Sequence, residues 1–493
     1  MKKAIVIGSG FGGLASAVRL IRKGYQVTIL EARDQLGGRA GVFKQQGYTF
    51  DAGPTVITAP YLINELFEML GEDPKEFFKL LPIDPFYRIL FNDGSSFDYV
   101  GDEDRIIENI KDLSPRDVDG FRKLSAHAQD IFDVGYTQLA DEPFDSFVSM
   151  MRAAPDMVRL QNYKSVYSLV SKYIKDPRLR QAFSFEPLLV GGNPTKITSI
   201  YLLIHWLERK WGVHFVEGGT TALVSAFERL LTKNNAEIFT NASVERIETR
   251  GSKVQRVWTT DGRSFEADLV VSNADPVRVY RDMLPQKDRH KHSNSSLARK
   301  TQSMSLFVAY FGTKKTYEKL AHHTILLGPR YQGLLGDIFD RKVLADDFSL
   351  YLHAPTRTDK SMAPDGRESF YVLSPVPNNH SSINWKQEAN RYKDKIYKFL
   401  EERMLPGLVE NLEVDFHIDP QYFEQDLQSE AGAAFGIEPS FRQSAYFRFH
   451  NQSEDFENLY FVGANTHPGA GVPGVLCSAK VLEKKIPEAR LFS

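Results

Sequence analysis

The stretch AIVIGSGFGGLASAVRLIRKGYQVTILE, residues 4–31, decides the fold. Its first four residues form an apolar run typical of a strand, residues 8–13 read GSGFGG, and the residues after them are compatible with a helix. A second strand-like run, QVTIL, ends directly before Glu31. The order strand, glycine loop, helix, strand and acid predicts a βαβ unit that binds a dinucleotide. The alternative is a glycine turn that binds no ligand.

The glycines of this loop have distinct predicted tasks. Gly8 makes the tight turn, Gly10 lets a pyrophosphate approach the backbone, and Gly13 lets the helix pack closely. Gly12 lies in the same loop, and we assign it to the cofactor site as well. The helix N-terminus then faces the phosphates, and Glu31 is placed to accept hydrogen bonds from a ribose hydroxyl.

The segment that follows the acid distinguishes between cofactors. In EARDQLGGRAG, Gly38 and Arg39 come a few residues after Glu31, which a plain nicotinamide domain does not need. The pairing resembles the second motif of the two-dinucleotide-binding flavoprotein superfamily, in which glycines and an arginine support the same pyrophosphate. The resemblance implies FAD; for Arg39 the alternative is a surface salt bridge. It also implies that Gly53, in YTFDAGPTVIT, runs past the flavin ring.

The C-terminal segment NLYFVGANTHPGAGVPGV, residues 458–475, again has the pattern of a strand, a glycine-rich loop and a helix start. We predict that it completes the flavin domain. Gly463 then meets the ribityl or phosphate part of FAD, and the helix start at Val472, Gly474 and Val475 faces the flavin ring. By the same resemblance, the backbone of Val244 meets the adenine.

Several longer runs identify a family. GYTFDAGPTVIT, RQAFSFEPLLVGGNP, WGVHFVEGGTTALV and THPGAGVPGV, spread over most of the chain, resemble bacterial CrtI-type phytoene desaturases. The resemblance implies an α/β flavoprotein of the two-dinucleotide-binding type, with a Rossmann-like FAD domain and an inserted substrate- and membrane-binding domain. It also implies an FAD-dependent oxidoreductase that introduces successive double bonds into a carotene by hydride transfer to flavin, with oxygen or a quinone as the final electron acceptor.

The catalytic residues beyond the flavin are less clearly marked. No multi-cysteine cage or nucleophile elbow occurs in the sequence, and we predict no metal site, although His322 and His323 are adjacent. Arg152 and Glu186 are polar residues in family-like apolar contexts, and we predict that they order the site or accept a proton. His353 and His467 are weaker candidates for the same tasks, and all four also fit structural roles.

The chain length predicts more than one domain, because 493 residues exceed what one hydrophobic core usually supports. We predict a discontinuous FAD-binding domain at residues 1–85, 216–289 and 426–493. Residues 86–215 and 290–425 are predicted to bind substrate and membrane. Within them, residues 144–175 carry five basic residues against two acidic ones, with apolar residues at helical spacing. This segment predicts contact with an anionic bilayer; a soluble helical lid is the alternative.

Composition and charge exclude some classes. The 61 basic and 63 acidic residues argue against a nucleic-acid partner that is bound through bulk charge, and the single cysteine excludes an intramolecular disulfide. The sequence shows neither a signal peptide nor a membrane-spanning run. We therefore expect a cytoplasmic protein that attaches peripherally to the inner face of the cell membrane.

Three rival functions remain open at this stage. A paralogous desaturase would take a later carotene, such as gamma-carotene or a hydroxylated carotenoid. A carotenoid isomerase would use reduced flavin without net oxidation. A non-catalytic isoprenoid carrier would need no glycine loop facing the flavin, and the loop at residues 471–474 therefore favours an enzyme.

Overall fold

The structure is a computed structural model that describes residues 2–491. The strands, in chain order, are β1 (Lys3–Ile7), β2 (Gln26–Leu30), β3 (Val42–Gln45), β4 (Tyr48–Asp51), β5 (Leu80–Pro82), β6 (Tyr87–Leu90), β7 (Ser96–Tyr99), β8 (His214–Val216), β9 (Glu237–Phe239), β10 (Val244–Arg250), β11 (Lys253–Thr259), β12 (Ser264–Glu266), β13 (Leu269–Ser272), β14 (Ser305–Thr313), β15 (His323–Leu326), β16 (Leu350–His353), β17 (Glu368–Val376), β18 (Leu412–Ile418) and β19 (Leu459–Phe461). The α-helices are α1 (Phe11–Arg22), α2 (Tyr61–Glu68), α3 (Glu103–Leu113), α4 (Val118–Phe132), α5 (Phe147–Arg159), α6 (Val166–Tyr173), α7 (Pro177–Ala182), α8 (Leu203–Trp211), α9 (Thr220–Lys233), α10 (Pro276–Arg278), α11 (Asn294–Ala298), α12 (Tyr331–Gly336), α13 (Trp385–Arg403), α14 (Pro420–Gln425) and α15 (Val472–Lys485).

A five-stranded parallel sheet organises one half of the molecule. Its strand order is β19-β13-β1-β2-β9, so segments from both ends and the middle of the sequence meet in one sheet. The central strands are mostly buried and apolar, as a sheet covered on both faces requires, whereas the edge strand β9 is partly exposed. Helices α1, α9 and α15 cover one face, and β10, β11 and the segment after α10 pack against the other. The predicted βαβ unit is confirmed, with β1, α1 and β2 in the expected places.

A seven-stranded mixed sheet organises the other half. Its order is β18-β14-β17-β16-β15-β6-β7, and only the pairing of β15 with β6 is parallel. Helix α13 covers one face through buried Trp385, Ile396 and Leu400. The opposite face turns toward α4, α6 and α8. All seven strands lie within residues 86–215 and 290–425, and this distribution is compatible with the predicted division into domains.

Alternation along the strands of the seven-stranded sheet produces its apolar inner face. Leu306, Val308 and Tyr310 of β14 are two residues apart and therefore share one face, as do Tyr371 and Leu373 of β17.

Among residues 2–491, no helix combines the length and the apolar character needed to cross a bilayer.

Candidate active site

One continuous cavity of about 520 Å³ joins the two halves of the molecule. One end is lined by the glycine loop after β1 and the C-terminal loop before α15, and the other by the inner face of the seven-stranded sheet and by α8. Its size lies within the range of about 300–1,000 Å³ that is typical of ligand sites. The cavity therefore places a polar, glycine-lined end beside an apolar one.

The polar end lies at the carboxyl edge of the parallel sheet, where ligands of doubly wound folds bind. Gly8 and Glu31 follow β1 and β2, Asn273 follows β13, and Gly463 follows β19. Of the predicted cofactor residues, the cavity is lined by Gly8, Gly10, Gly12, Glu31, Gly38, Arg39, Gly53, Val244, Gly463, Val472, Gly474 and Val475. The remaining one, Gly13, packs behind the loop.

Gly13 shows why the loop needs glycine. A Cβ at this position would lie 2.1 Å from the carbonyl oxygen of Gly8, so any side chain would force α1 away from β1. Gly53 is equally confined, because its Cβ would lie 1.8 Å from the carbonyl oxygen of Arg39. The backbone is therefore close-packed around the predicted pyrophosphate and flavin segments.

The Glu31 carboxylate is held rigidly at the end of β2. Its Oε2 accepts a hydrogen bond from the backbone N–H of Ser9 (2.9 Å), and its Oε1 accepts one from the N–H of Arg33 (3.0 Å). A carboxylate has about four acceptor positions, so capacity remains for ribose hydroxyl groups. Glu31 thus ties the glycine loop to β2 and keeps an acceptor at the cavity wall.

The contacts of Arg39 show whether the polar end of the cavity fits an anionic cofactor. Its Nη2 donates to Ser429 Oγ (2.9 Å), whereas its Nε has no hydrogen-bond partner among the residues that the structure describes. Burial lowers the pKa of the Arg39 guanidinium, and the Asp275 carboxyl only partly offsets this effect. A half-buried guanidinium whose buried Nε is an unused donor is suited to the phosphate oxygens of a dinucleotide. The glycine loop, Glu31 and Arg39 together fit FAD.

The start of α15 meets the same cavity. Gly471 precedes the helix with φ +96°, Pro473 occupies the first turn, and Val472, Gly474 and Val475 line the cavity. Two nearby residues have structural roles. Asn465 Oδ1 accepts the N–H of Ile437 (2.6 Å), and the His467 ring pairs with the carbonyl of Leu139 (3.2 Å).

The other end of the cavity is apolar and elongated. Helix α8 contributes Leu203, Ile204 and Leu207, and the preceding segment contributes Phe185 and Leu188. The sheet contributes the alternating positions Leu306, Val308, Tyr310, Ile325, Leu327, Tyr351, Tyr371 and Leu373. This surface can bind a long hydrocarbon by apolar contact alone.

Two buried carboxyl groups lie beside this apolar end. Tyr87 and Tyr99 face each other across β6 and β7, and each donates its hydroxyl to a glutamate. Tyr87 donates to Glu208 Oε1 (2.6 Å) and Tyr99 to Glu186 Oε1 (2.7 Å). Burial raises the pKa of Glu208 to about 8 and that of Glu186 well above its ordinary value. Glu208 lines the cavity, whereas Glu186 is bonded to Tyr99 behind the wall.

The two predicted catalytic residues are thus not brought together. Arg152 is exposed on α5 and lies outside the set of residues that line the cavity. Its position on the surface gives no support to a role at the reacting carbons.

Glu208 was missed by sequence reasoning, although one signal existed: in the helix LIHWLERKW, His205 and Glu208 share the buried face with Leu207.

Three histidines also cluster at the edge of the apolar end. The ring nitrogens of His322, His323 and His353 lie within 4.8 Å of one another, and His322 Nε2 is 3.0 Å from His353 Nε2. Burial lowers the pKa of all three rings, so they are neutral. No carboxylate contributes to these shifts, so a divalent cation there would carry uncompensated buried charge. The absence of a metal site stays a prediction.

The fold and the cavity define an FAD-dependent oxidoreductase with an apolar substrate site. The chain belongs to the flavin containing amine oxidoreductase family, whose model matches residues 11–480, and within it to the phytoene desaturases. The resemblance seen in the sequence, the flavoprotein fold and the FAD prediction are therefore confirmed.

Individual relatives agree along almost the whole chain. A lycopene-forming phytoene desaturase of Pseudescherichia vulneris is 49% identical, covering 97% of this chain and 98% of its own. A neurosporene-forming phytoene desaturase of Rhodobacter capsulatus is 41% identical, with 99% and 94% covered. An oxidoreductase structure from Methanosarcina mazei has a TM-score of 0.65 at 16% identity, covering 98% of this chain and 100% of its own. That last likeness shows the fold.

Proposed function

We propose that this protein is a phytoene desaturase that introduces successive double bonds and forms lycopene. The observation that carries the proposal is the single cavity in which an FAD-type dinucleotide site opens directly onto an apolar surface. The lycopene-forming relatives, at 47–49% identity over nearly the full chain, support the choice of substrate and product.

When bound, FAD supplies the acceptor for a hydride from an allylic carbon. The chain's own residues bind, orient and shield the substrate. The inner face of the seven-stranded sheet and α8 hold the polyene by apolar contact, and they exclude water from the reacting carbons. We assign FAD binding to residues 1–85, 216–289 and 426–493, and substrate binding to residues 86–215 and 290–425.

The experiment supplies FAD-loaded protein with phytoene in liposomes and separates the products by chromatography, under air and under nitrogen with a quinone. We expect carotenes of increasing conjugation that end at lycopene, in the presence of at least one of the two acceptors. Conversion of gamma-carotene or a hydroxylated carotenoid with phytoene left intact would instead identify a paralogous desaturase.

We also propose that the protein lies on the inner face of the cell membrane, through an exposed apolar patch. The patch consists of Phe147, Val148, Met151 and Val158 of α5 and the neighbouring Phe447. The first four share one helical face, and their side chains are 53–66% exposed. Exposed contiguous apolar surface of this kind marks an interaction site.

Two further features favour a lipid surface for this patch. Arg152 is exposed on the same helix, where its guanidinium can meet anionic headgroups. Helix α5 also begins seven residues after Ala140, which lines the cavity together with Gly135 and Tyr136. A carotene dissolved in lipid would therefore enter close to the patch. Flotation of the protein with lipid vesicles, stronger with anionic than with neutral ones, is the expected result.

A further inference from the structure

We propose that Glu208 is the catalytic base that removes the proton in each desaturation step. The proposal rests on the proposed function, because it assigns a residue to a step of that reaction. Glu208 is 1% exposed, lines the apolar end of the cavity, and shares α8 with Leu203, Ile204 and Leu207, which line it as well. Among the residues that the structure describes, its Oε2 has no hydrogen-bond partner.

The chemistry requires one acceptor for each hydrogen. Two C–H bonds of the substrate break and one new π bond forms between the two carbons. The hydride, with its electron pair, goes to oxidised flavin, and the carbon that it leaves becomes an allylic cation. The neighbouring carbon then loses a proton, whose electron pair forms the π bond, and Glu208 Oε2 takes that proton. A carboxylate at this place also stabilises the cation by its charge.

The surroundings of Glu208 hold one oxygen and leave the other for the substrate. The fully buried Tyr87 of β6 donates its hydroxyl to Glu208 Oε1. The remaining titratable or charged groups that face Glu208 or its two tyrosines are Glu186, Tyr99, His205, Arg209, His323 and Tyr351. Glu186 lies outside the cavity lining and accepts the hydroxyl of Tyr99, whose ring packs edge to face on that of Tyr87.

The ionisation of Glu208 suits this task. Burial raises its pKa to about 8 and the Tyr87 hydroxyl lowers it, so the carboxylate fraction grows as the pH rises through that value. A base with a pKa near the working pH is the most effective one. Asp51 is the competing candidate, since it lines the same cavity and burial raises its pKa to about 7. Asp51 Oδ2 also has no hydrogen-bond partner among residues 2–491, but its Oδ1 accepts the N–H of Thr220 at the start of α9, which places Asp51 in the dinucleotide half and away from the apolar wall.

The test compares Glu208→Gln, Asp51→Asn, Glu186→Gln and Tyr87→Phe in FAD-loaded protein with phytoene in liposomes. Product formation is measured from acidic to alkaline pH, with FAD content and circular dichroism as controls for folding. We expect Glu208→Gln to form product roughly 100-fold more slowly than wild type. We also expect it to lose the rise, that is, the increase in rate that the wild-type protein shows as the pH is raised. Asp51→Asn and Glu186→Gln are expected to keep that rise. Tyr87→Phe keeps the carboxyl but removes its donor, and is expected to move the rise upward by roughly one pH unit.

Opposite results would overturn the assignment. If Glu208→Gln desaturates at nearly the wild-type rate with the wild-type pH profile, or if Asp51→Asn is the variant that loses the rise, Glu208 is not the base. Failure of the proposed function has a different signature, because wild-type protein would then leave phytoene intact. The variants are in that case compared on the carotene that the wild-type protein converts, with the same expected results.

Discussion

Replacing Arg39 by methionine is expected to weaken FAD binding without unfolding the protein. The side chain lines the cavity, its Nη2 is bonded to Ser429 Oγ, and its Nε has no partner among residues 2–491. One charge-assisted hydrogen bond contributes about 1.5–3 kcal/mol. With about 1.4 kcal/mol for each factor of ten, the Kd for FAD should rise by roughly 10- to 150-fold.

The assay titrates FAD into stripped protein and follows the quenching of flavin fluorescence at low and high salt. Arg39→Lys keeps the charge but not the planar fork, so its Kd should fall between those of wild type and Arg39→Met. Arg116→Met, at an exposed site on the surface, is the matched control and should bind as wild type does. A Kd for Arg39→Met within about threefold of wild type would refute the assignment of Arg39 to the pyrophosphate.

Three other substitutions test separate parts of the structure. Gly13→Ala should lose FAD and lower the Tm, because its Cβ would overlap the Gly8 carbonyl oxygen; retained FAD with an unchanged Tm would contradict this. In urea unfolding of the apoprotein, Asp51→Asn should be more stable than wild type by about 4 kcal/mol at pH 8 and by about 2 kcal/mol near pH 5, at about 1.4 kcal/mol for each pKa unit. The reason is that burial raises the pKa of Asp51 to about 7, so the folded state keeps a proton that the unfolded state has lost. The stability of the wild-type protein therefore falls as the pH rises from about 4 to 7. An equal gain in stability at both pH values would argue against this explanation. Serine at the four α5 positions of the apolar patch should weaken vesicle binding by roughly 700-fold, since the four half-exposed side chains, at about 1 kcal/mol each, together contribute about 4 kcal/mol on burial. Serine at Val343 and Val409, which are exposed elsewhere, should not.

The polar end of the site could be predicted from the sequence because its determinants are local. The loop at residues 8–13, Glu31 and Arg39 lie within a short segment, and each follows from a turn, a helix start or a strand end. The return of residues 458–475 to the same sheet required the resemblance to a family as well, since nothing local pairs β19 with β13.

The apolar end could not be predicted in the same way, because it depends on contacts between distant segments. Glu208 reaches Tyr87 across 121 residues, and only the packing of α8 against β6 and β7 buries the two together. The same limit explains Arg152. Its neighbours in the sequence are apolar, but α5 buries none of its residues, so its apolar face is turned outward and not toward a core.

The most direct test of desaturation by hydride transfer to FAD is an anaerobic single turnover. Stoichiometric FAD-loaded protein is mixed with phytoene in liposomes, with oxygen and quinone excluded, and flavin absorbance is followed while the products are quantified. If the hydride goes to FAD, one flavin is reduced for each new double bond formed. An isomerised carotene without flavin reduction, or bound phytoene that stays unchanged, would contradict it.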